Sequence, residues 1–196
     1  NTIILLASDN GPEPEAGLST PFRGTKGMLY EGGIRSPLIV WGPGFIPKSV
    51  VGTVNDTSVL STLDLFPSLT SIARIKHPEV AFDGENMANA FIGKSKATRT
   101  KPLYWSRPPD RPGENNDWPD LAVRDGKWKL LIMRDGSNAQ LYNLEKDPGE
   151  KQNLAEKRPK VVKRLSGPLL EWWRSLPGSE VATATHQNSP KPAKSL

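Results

Sequence analysis

The sequence predicts an α/β fold: part of a large mixed sheet flanked by helices, followed by a small antiparallel sheet with a packing helix. Three observations carry this reading. Two continuous apolar runs, residues 2–7 and 37–41, each end in a polar or glycine-rich break, the pattern of buried strands. Residues 102–144 then divide into short strand-like runs separated by Asp-Gly pairs, and residues 159–175 repeat apolar side chains at helical spacing.

Taken in order, Thr2-Ile3-Ile4-Leu5-Leu6-Ala7 reads as a strand buried on both faces, as in a parallel α/β sheet, and it stops at Ser8-Asp9-Asn10-Gly11-Pro12. Polar groups just past the carboxyl end of such a strand are where open α/β sheets hold ligands. Residues 12–33 are rich in Gly and Pro and read as a long loop, which in a compact domain is more often functional than idle. Pro37-Leu38-Ile39-Val40-Trp41 is a second strand, closed by Gly42-Pro43-Gly44. In residues 56–73, Val59, Leu60, Leu63, Phe66, Leu69 and Ile72 fall near helical spacing, with Pro67 placed to open a second helix.

Beyond residue 97 the period changes. Pro102-Leu103-Tyr104-Trp105, Leu121-Ala122-Val123-Arg124 and the run from Lys127 to Met133 are strands, and Asp125-Gly126 between the last two is a strong hairpin signal. A turn at Asp135-Gly136 leads to a further strand over residues 140–144. Val161, Leu165, Leu169, Trp172 and Trp173 mark the amphipathic helix, and Trp128, Trp172 and Trp173 are core residues on this pattern. Residues 178–196, rich in Ser, Thr, Pro and Lys, are expected to be a disordered tail. The expected division is therefore 1–96 for the larger α/β part, 97–177 for a small α+β subdomain, and the tail.

Composition narrows the function classes. The 196 residues suffice for one ordinary domain, and the formal charge of +5, from 26 Lys+Arg against 21 Asp+Glu, is a mild basic bias suited to anionic substrates without specifying them. No basic helix, RNA-binding aromatic signature or zinc spacing points to nucleic acid. No apolar run approaches the ~20 residues of a spanning helix, so no membrane span is expected. Without cysteine the chain can build no disulfide, thiolate nucleophile or cysteine metal site. Because the chain opens on a strand already under way, its natural N-terminus is expected upstream, and the lack of a targeting segment carries no information.

The chemistry sits in two segments. Asp9 and Asn10 offer a carboxylate and an amide oxygen at a strand end, hard ligands suited to Ca²⁺ or Mg²⁺, although two ligands cannot fill a shell of six to eight. An Asx-turn that simply caps the strand is the alternative. Lys26 lies between Gly24 and Gly27, where backbone can approach a ligand closely and the ammonium can act as a point charge on an oxyanion; the alternative is a solvated loop lysine. Glu31 and Arg35 are read mainly as holding the loop, paired with each other or with the sheet.

Ser8-Asp9-Asn10-Gly11 followed about a dozen residues later by Arg23-Gly24-Thr25-Lys26-Gly27 and Tyr30-Glu31-Gly32-Gly33-Ile34-Arg35-Ser36-Pro37 resembles the C-terminal half of the sulfatase family. The resemblance continues through Asp64-Leu65-Phe66-Pro67-Ser68, Asp83-Gly84, the segment from Ala122 to Leu130, Leu141-Tyr142-Asn143-Leu144 and Asp147-Pro148 with Glu150, Asn153 and Leu154. It implies a calcium-dependent sulfuric ester hydrolase of the alkaline phosphatase superfamily, Mg²⁺ being the lesser choice. Asp9 and Asn10 would be metal ligands and Lys26 a catalytic, sulfate-binding lysine. An upstream aspartate pair and a formylglycine, made in a Cys/Ser-x-Pro-x-Arg motif that this chain lacks, would complete the site, so this chain alone is expected to be inactive. The resemblance also implies a periplasmic or secreted location and a sulfated small molecule or sulfated glycan as substrate, with the N-terminal half of the same protein as partner.

His77 and His186, the only histidines, match no motif of that family and are expected to be surface and tail residues, which leaves the acid histidines of such enzymes upstream. The loop over residues 104–120 carries Trp105, Arg107, Arg111 and Trp118. Aromatic platforms and guanidinium forks there suit a sulfated sugar or aryl ester; tryptophans that pack the subdomain onto the larger sheet are the equal alternative. Two other functions stay open: a phosphodiesterase or phosphonate-ester hydrolase with the same metal and lysine logic, and a non-catalytic module that binds sulfated glycans.

Overall fold

A computed structural model describes residues 2–76, 80–108 and 117–178. The chain forms two compact units, one of residues 1–9 and 36–102, the other of residues 10–35 and 103–196. The glycine-rich segment, which chain order groups with the first unit, thus belongs to the second. His77, Arg111, His186 and nearly all of the expected tail lie outside the described residues.

In the first unit β1 (Ile4–Ala7) ends at the Ser8-Asp9 break. The single-turn helix α1 (Glu31–Ile34) belongs to the second unit, and the chain then returns through β2 (Leu38–Trp41). β1 pairs antiparallel with β2, Ile4 opposite Trp41 and Ala7 opposite Leu38. The run over residues 2–7 reads as a parallel-sheet strand covered on both faces, yet the ribbon leaves Ile4, Leu6, Ile39 and Trp41 more than half exposed. Apolar continuity shows that a strand is made to be covered, not which neighbour covers it.

Further along, a 3-10 turn over Thr62–Asp64 runs directly into α2 (Leu65–Ile72), followed by the short α3 (Ala88–Phe91). Val59 and Leu60 lie ahead of the 3-10 turn and outside any helix, and Pro67 sits in the first turn of α2, where its missing N–H removes no helical bond. Asp64 anchors the start of α2. Fully buried, its carboxylate accepts from the backbone N–H groups of Ser61 and Glu85 at 2.8 Å each and pairs with Arg99. The Asp64-to-Ser68 motif therefore ties residues 83–87 to the helix start, because Ser68 Oγ also accepts from the N–H of Met87 at 2.8 Å.

The second unit is a four-stranded antiparallel meander of β3 (Leu103–Ser106), β4 (Leu121–Asp125), β5 (Trp128–Ile132) and β6 (Gln140–Asn143), covered on one face by α4 (Pro159–Ser175). Asp125 opposes Trp128 across the hairpin, and Gly126 adopts φ 56°, the left-handed backbone that this tight turn requires. Alternation sorts the strands. Leu121, Val123, Leu130, Ile132 and Leu141 face Leu165, Leu169 and Trp173 of α4, while Ala122, Leu131 and Tyr142 face Leu29 and Tyr30 of the glycine-rich segment. Each fully buried leucine contributes about 1.5–3 kcal/mol relative to exposure, so the two-sided sheet dominates the unit's stability. Tyr104 stacks on Trp172 at 5.2 Å, and of the expected core tryptophans Trp173 is buried whereas Trp128 and Trp172 are half-buried.

Candidate functional site

The glycine-rich segment folds on its own backbone. Gly11 N–H donates to Gly33 O at 2.8 Å, Gly32 N–H to Arg23 O at 2.7 Å and Lys26 N–H to Pro12 O at 3.0 Å. A Cβ on Gly32 would lie 2.3 Å from Gly24 O and 2.5 Å from Arg23 O, and one on Gly33 would lie 2.1 Å from Met28 O. Such overlaps with carbonyls force the backbone apart. Gly32→Ala is expected to cost about 1–3 kcal/mol or more and to open the loop to limited proteolysis. Gly167→Ala, at an α4 position with nothing within 4 Å, should instead stabilise by about 0.5–1 kcal/mol. Urea midpoints of the two variants check both signs; a Gly32→Ala midpoint that is unchanged, or raised like that of Gly167→Ala, would remove the case for close packing at Gly32.

What holds this loop to the sheet is a buried charge cluster. Lys129 Nζ, completely buried, donates to Glu31 Oε1 at 2.9 Å and lies 2.9 Å from Glu150 Oε1. Glu150 Oε2 accepts from the N–H of Glu31 at 2.6 Å, and Arg35 and Arg124 stand 3.7 and 3.8 Å from Glu31 Oε2. Burial pushes the Glu150 carboxyl above the ordinary carboxylate range, against the pull of Lys129. Glu31 is thereby paired both with Arg35 and with the sheet. Around this cluster Arg23 Nη1 donates to Tyr142 Oη at 2.9 Å, and the hydroxyls of Tyr30 and Tyr142 both donate to Gln140 Oε1 at 2.9 Å. Burial raises the Tyr142 hydroxyl to about 12, so it remains a donor at any physiological pH.

The cluster was legible in principle. Period-two alternation puts Lys129 on the same face as Leu131, inside the sheet, and a lysine there needs carboxylate partners. The missing piece was the identity of those partners, which lie 98 residues before it and in a turn 21 residues after it.

Of the residues singled out from the motifs, Asp9 closes the first unit's opening segment and Asn10 begins the second's. Asp9 is exposed and its carboxylate takes no hydrogen bond or ion pair from the described residues, so it is not spent on capping the strand. Among the described residues no group of three or more His, Cys, Asp or Glu side chains could hold a metal. Asp9 and Asn10 are a carboxylate and an amide, hard oxygen donor types of the kind calcium takes, and two such ligands fall short of its shell of six to eight.

Lys26 presents a half-exposed ammonium 2.8 Å from the equally exposed Glu13 Oε2. Exposed pairs of this kind contribute ~0–1 kcal/mol, so an anion could displace Glu13 at little cost. In the other cluster, Arg107 is buried and directed at the fully buried Asp120 at 3.5 Å, too long for a good hydrogen bond. Its guanidinium carbon lies 5.8 Å from the ring centre of the half-buried Trp118. Arg134, also buried, donates to Arg107 O at 2.8 Å. Trp105 is half-buried against the loop-facing side of the sheet, beside Leu131 and Tyr142. Asp120 and Arg134 were not anticipated; no local pattern distinguishes them from surface charges.

A family model described as N-sulphoglucosamine sulphohydrolase, C-terminal, matches residues 24–173. The chain belongs to the sulfatase family. Human arylsulfatase A is 31% identical over 193 residues, covering 84% of this sulfatase chain and 36% of that protein. An N-acetylgalactosamine-6-O-sulfatase of Bacteroides thetaiotaomicron is 30% identical over 194 residues, covering 85% of this chain and 35% of its own. The crystal structure of Ps i-CgsB in complex with k-i-k-neocarrahexaose superposes with a TM-score of 0.71 at 30% identity, over 88% of this chain and 36% of that one. The sulfatase chain thus spans about a third of the length of the curated relatives it matches. No helix among its described residues is long and apolar enough to cross a membrane.

Proposed function

We propose that the complete protein is a sulfuric ester hydrolase acting on a sulfated saccharide, and that this chain supplies one side of its anion site. Asp9 and Asn10 would contribute two oxygen ligands to a calcium ion whose remaining ligands come from residues outside this chain. When bound, calcium would neutralise charge on the sulfate oxygens. Lys26 would add a second positive charge from the glycine-rich loop, held there before substrate arrives because Glu31 and Lys129 pin that loop to the sheet. The nucleophile, expected as formylglycine, also lies outside this chain, and the chain by itself should not turn over.

The observation that carries the reading is the unpaired, exposed carboxylate of Asp9 at the end of β1, within the motif shared with the sulfatase family. The saccharide substrate is supported by the neighbour crystallised with neocarrahexaose and by the relative named for N-acetylgalactosamine-6-O-sulfate. The test is metal analysis of the complete protein. Asp9→Ala should lose calcium and sulfatase activity together, with an unchanged unfolding midpoint for the metal-free form. Full calcium content in that variant would remove Asp9 from the site, and hydrolysis of phosphate diesters in preference to sulfate esters would transfer the same residues to a phosphodiesterase.

A further inference from the structure

On the α4 face of the second unit's sheet, opposite the face that carries the glycine-rich loop, lies a pocket of about 310 Å³ lined by Trp128, Asn143, Lys146, Asp147, Gln152, Leu154, Lys157 and Arg158. That volume is at the lower end of small-ligand sites and suits one sugar ring. Its charge is unbalanced. Lys146, Lys157 and Arg158 are exposed and take no ion pair among the described residues, while the single carboxylate, Asp147, already accepts from the N–H groups of Lys151 and Gln152. Lys157 and Arg158 stand at the start of α4, where no acidic residue occupies the first turn and no side chain caps the helix. Cations at a helix N-terminus are unfavourable unless an anion joins them, which makes this end a poor choice for stability and a good one for an anionic ligand.

Two further observations bear on the ligand class. Asn143 is 9% exposed, its Oδ1 accepts from the N–H of Glu145, and its Nδ2 makes no hydrogen bond in the described residues, leaving a nearly buried donor in the wall of the pocket. Trp128, directly across the ladder from Asn143 on the same face, supplies an aromatic surface that can stack on the apolar face of a sugar.

We propose that this pocket is a second saccharide site, which binds one sulfated or carboxylated sugar unit of a chain and anchors the polymer. Trp128 takes the ring, Asn143 Nδ2 donates to a ring substituent, and Lys146, Lys157 and Arg158 meet the anionic group. The choice of an anionic saccharide over another anion rests on the sulfatase reading above.

The test is titration of the complete protein with dextran sulfate at roughly 0.15 M ionic strength, where diffuse surface attraction is largely screened. Unsulfated dextran and polyphosphate serve as comparators. Wild type should bind dextran sulfate and not dextran. Lys157→Glu with Arg158→Glu should weaken binding about tenfold or more, the scale of losing charge-assisted contacts. Asn143→Asp, nearly isosteric and still able to accept from Glu145, should weaken it too, as should Trp128→Leu. Lys48→Glu with Lys94→Glu, on the first unit, should leave it unchanged. Equal loss in that control pair would reduce the effect to net charge. Polyphosphate that displaces dextran sulfate equally well, with full binding by Trp128→Leu, would leave a bare anion site, and no binding by wild type would end the proposal. Hydrolysis of a small aryl sulfate, measured in parallel and expected to persist in all these variants, keeps failure of the pocket separate from failure of the sulfatase reading.

Discussion

Lys129→Met is expected to destabilise the protein by about 3–5 kcal/mol, the scale for stranding buried charge by deleting one partner. The lysine is the fully buried cation between Glu31 and Glu150, and methionine keeps its volume and apolar stem while removing the charge. Restoring neutrality should restore much of the loss, so Lys129→Met with Glu31→Gln and Glu150→Gln is expected to be more stable than the single variant. The pH dependence has a definite sign. Glu150 already has a raised pKa from burial, and losing Lys129 removes its first opposing attraction. A carboxyl whose folded pKa lies above its unfolded value of 4.5 contributes fully below that value, and its contribution falls as pH rises through the folded pKa. The deficit of Lys129→Met should therefore shrink toward pH 4 and widen toward neutrality. Denaturant unfolding of the three proteins at acid and neutral pH is the measurement; a single variant within 1 kcal/mol of wild type at neutral pH would mean that the cluster is solvated.

In the complete enzyme, Lys26→Ala should lower kcat for sulfate esters by roughly 10²–10³ without reducing bound calcium. The side chain is half exposed and its ion pair with Glu13 is equally exposed, so its removal should shift the unfolding midpoint little. That separates it from Lys129, whose loss acts through stability. Lys26→Arg keeps the charge but spreads it over a planar fork, and partial activity is expected. Retention of full activity by the alanine variant, or loss of calcium with activity, would show that Lys26 does not act on the bound anion. Comparing kcat with KM adds a second check: an interaction made only in the transition state lowers kcat and kcat/KM together.

The loop's attachment also explains why chain order misassigns it. Residues 10–35 precede the first unit's second strand, yet Tyr30, Leu29 and Glu31 find their partners on β4, β5 and β6. A domain boundary drawn from composition follows the chain, whereas apolar faces and buried charges select partners irrespective of chain distance.

The sequence by itself determined the local elements. Asp125-Gly126 demanded a hairpin because a two-residue turn needs left-handed backbone, and the spacing of Leu165, Leu169 and Trp173 demanded a helix with one buried stripe. The linked motifs around Asp9, Asn10 and Lys26 carried the resemblance to the sulfatase family, and the family model over residues 24–173 shows that membership. Only the tertiary structure decided which charges are buried and with whom. Lys129, Asp64 and Asp120 look like surface residues in a sequence, and each is enclosed because a partner distant in the chain compensates its desolvation: Glu31 for Lys129, Arg99 for Asp64, Arg107 and Arg134 for Asp120. The two faces of the second sheet were decided in the same way. Alternation announces that both are apolar, but which is covered by α4 and which by the lysine loop depends on long-range packing that no local period encodes.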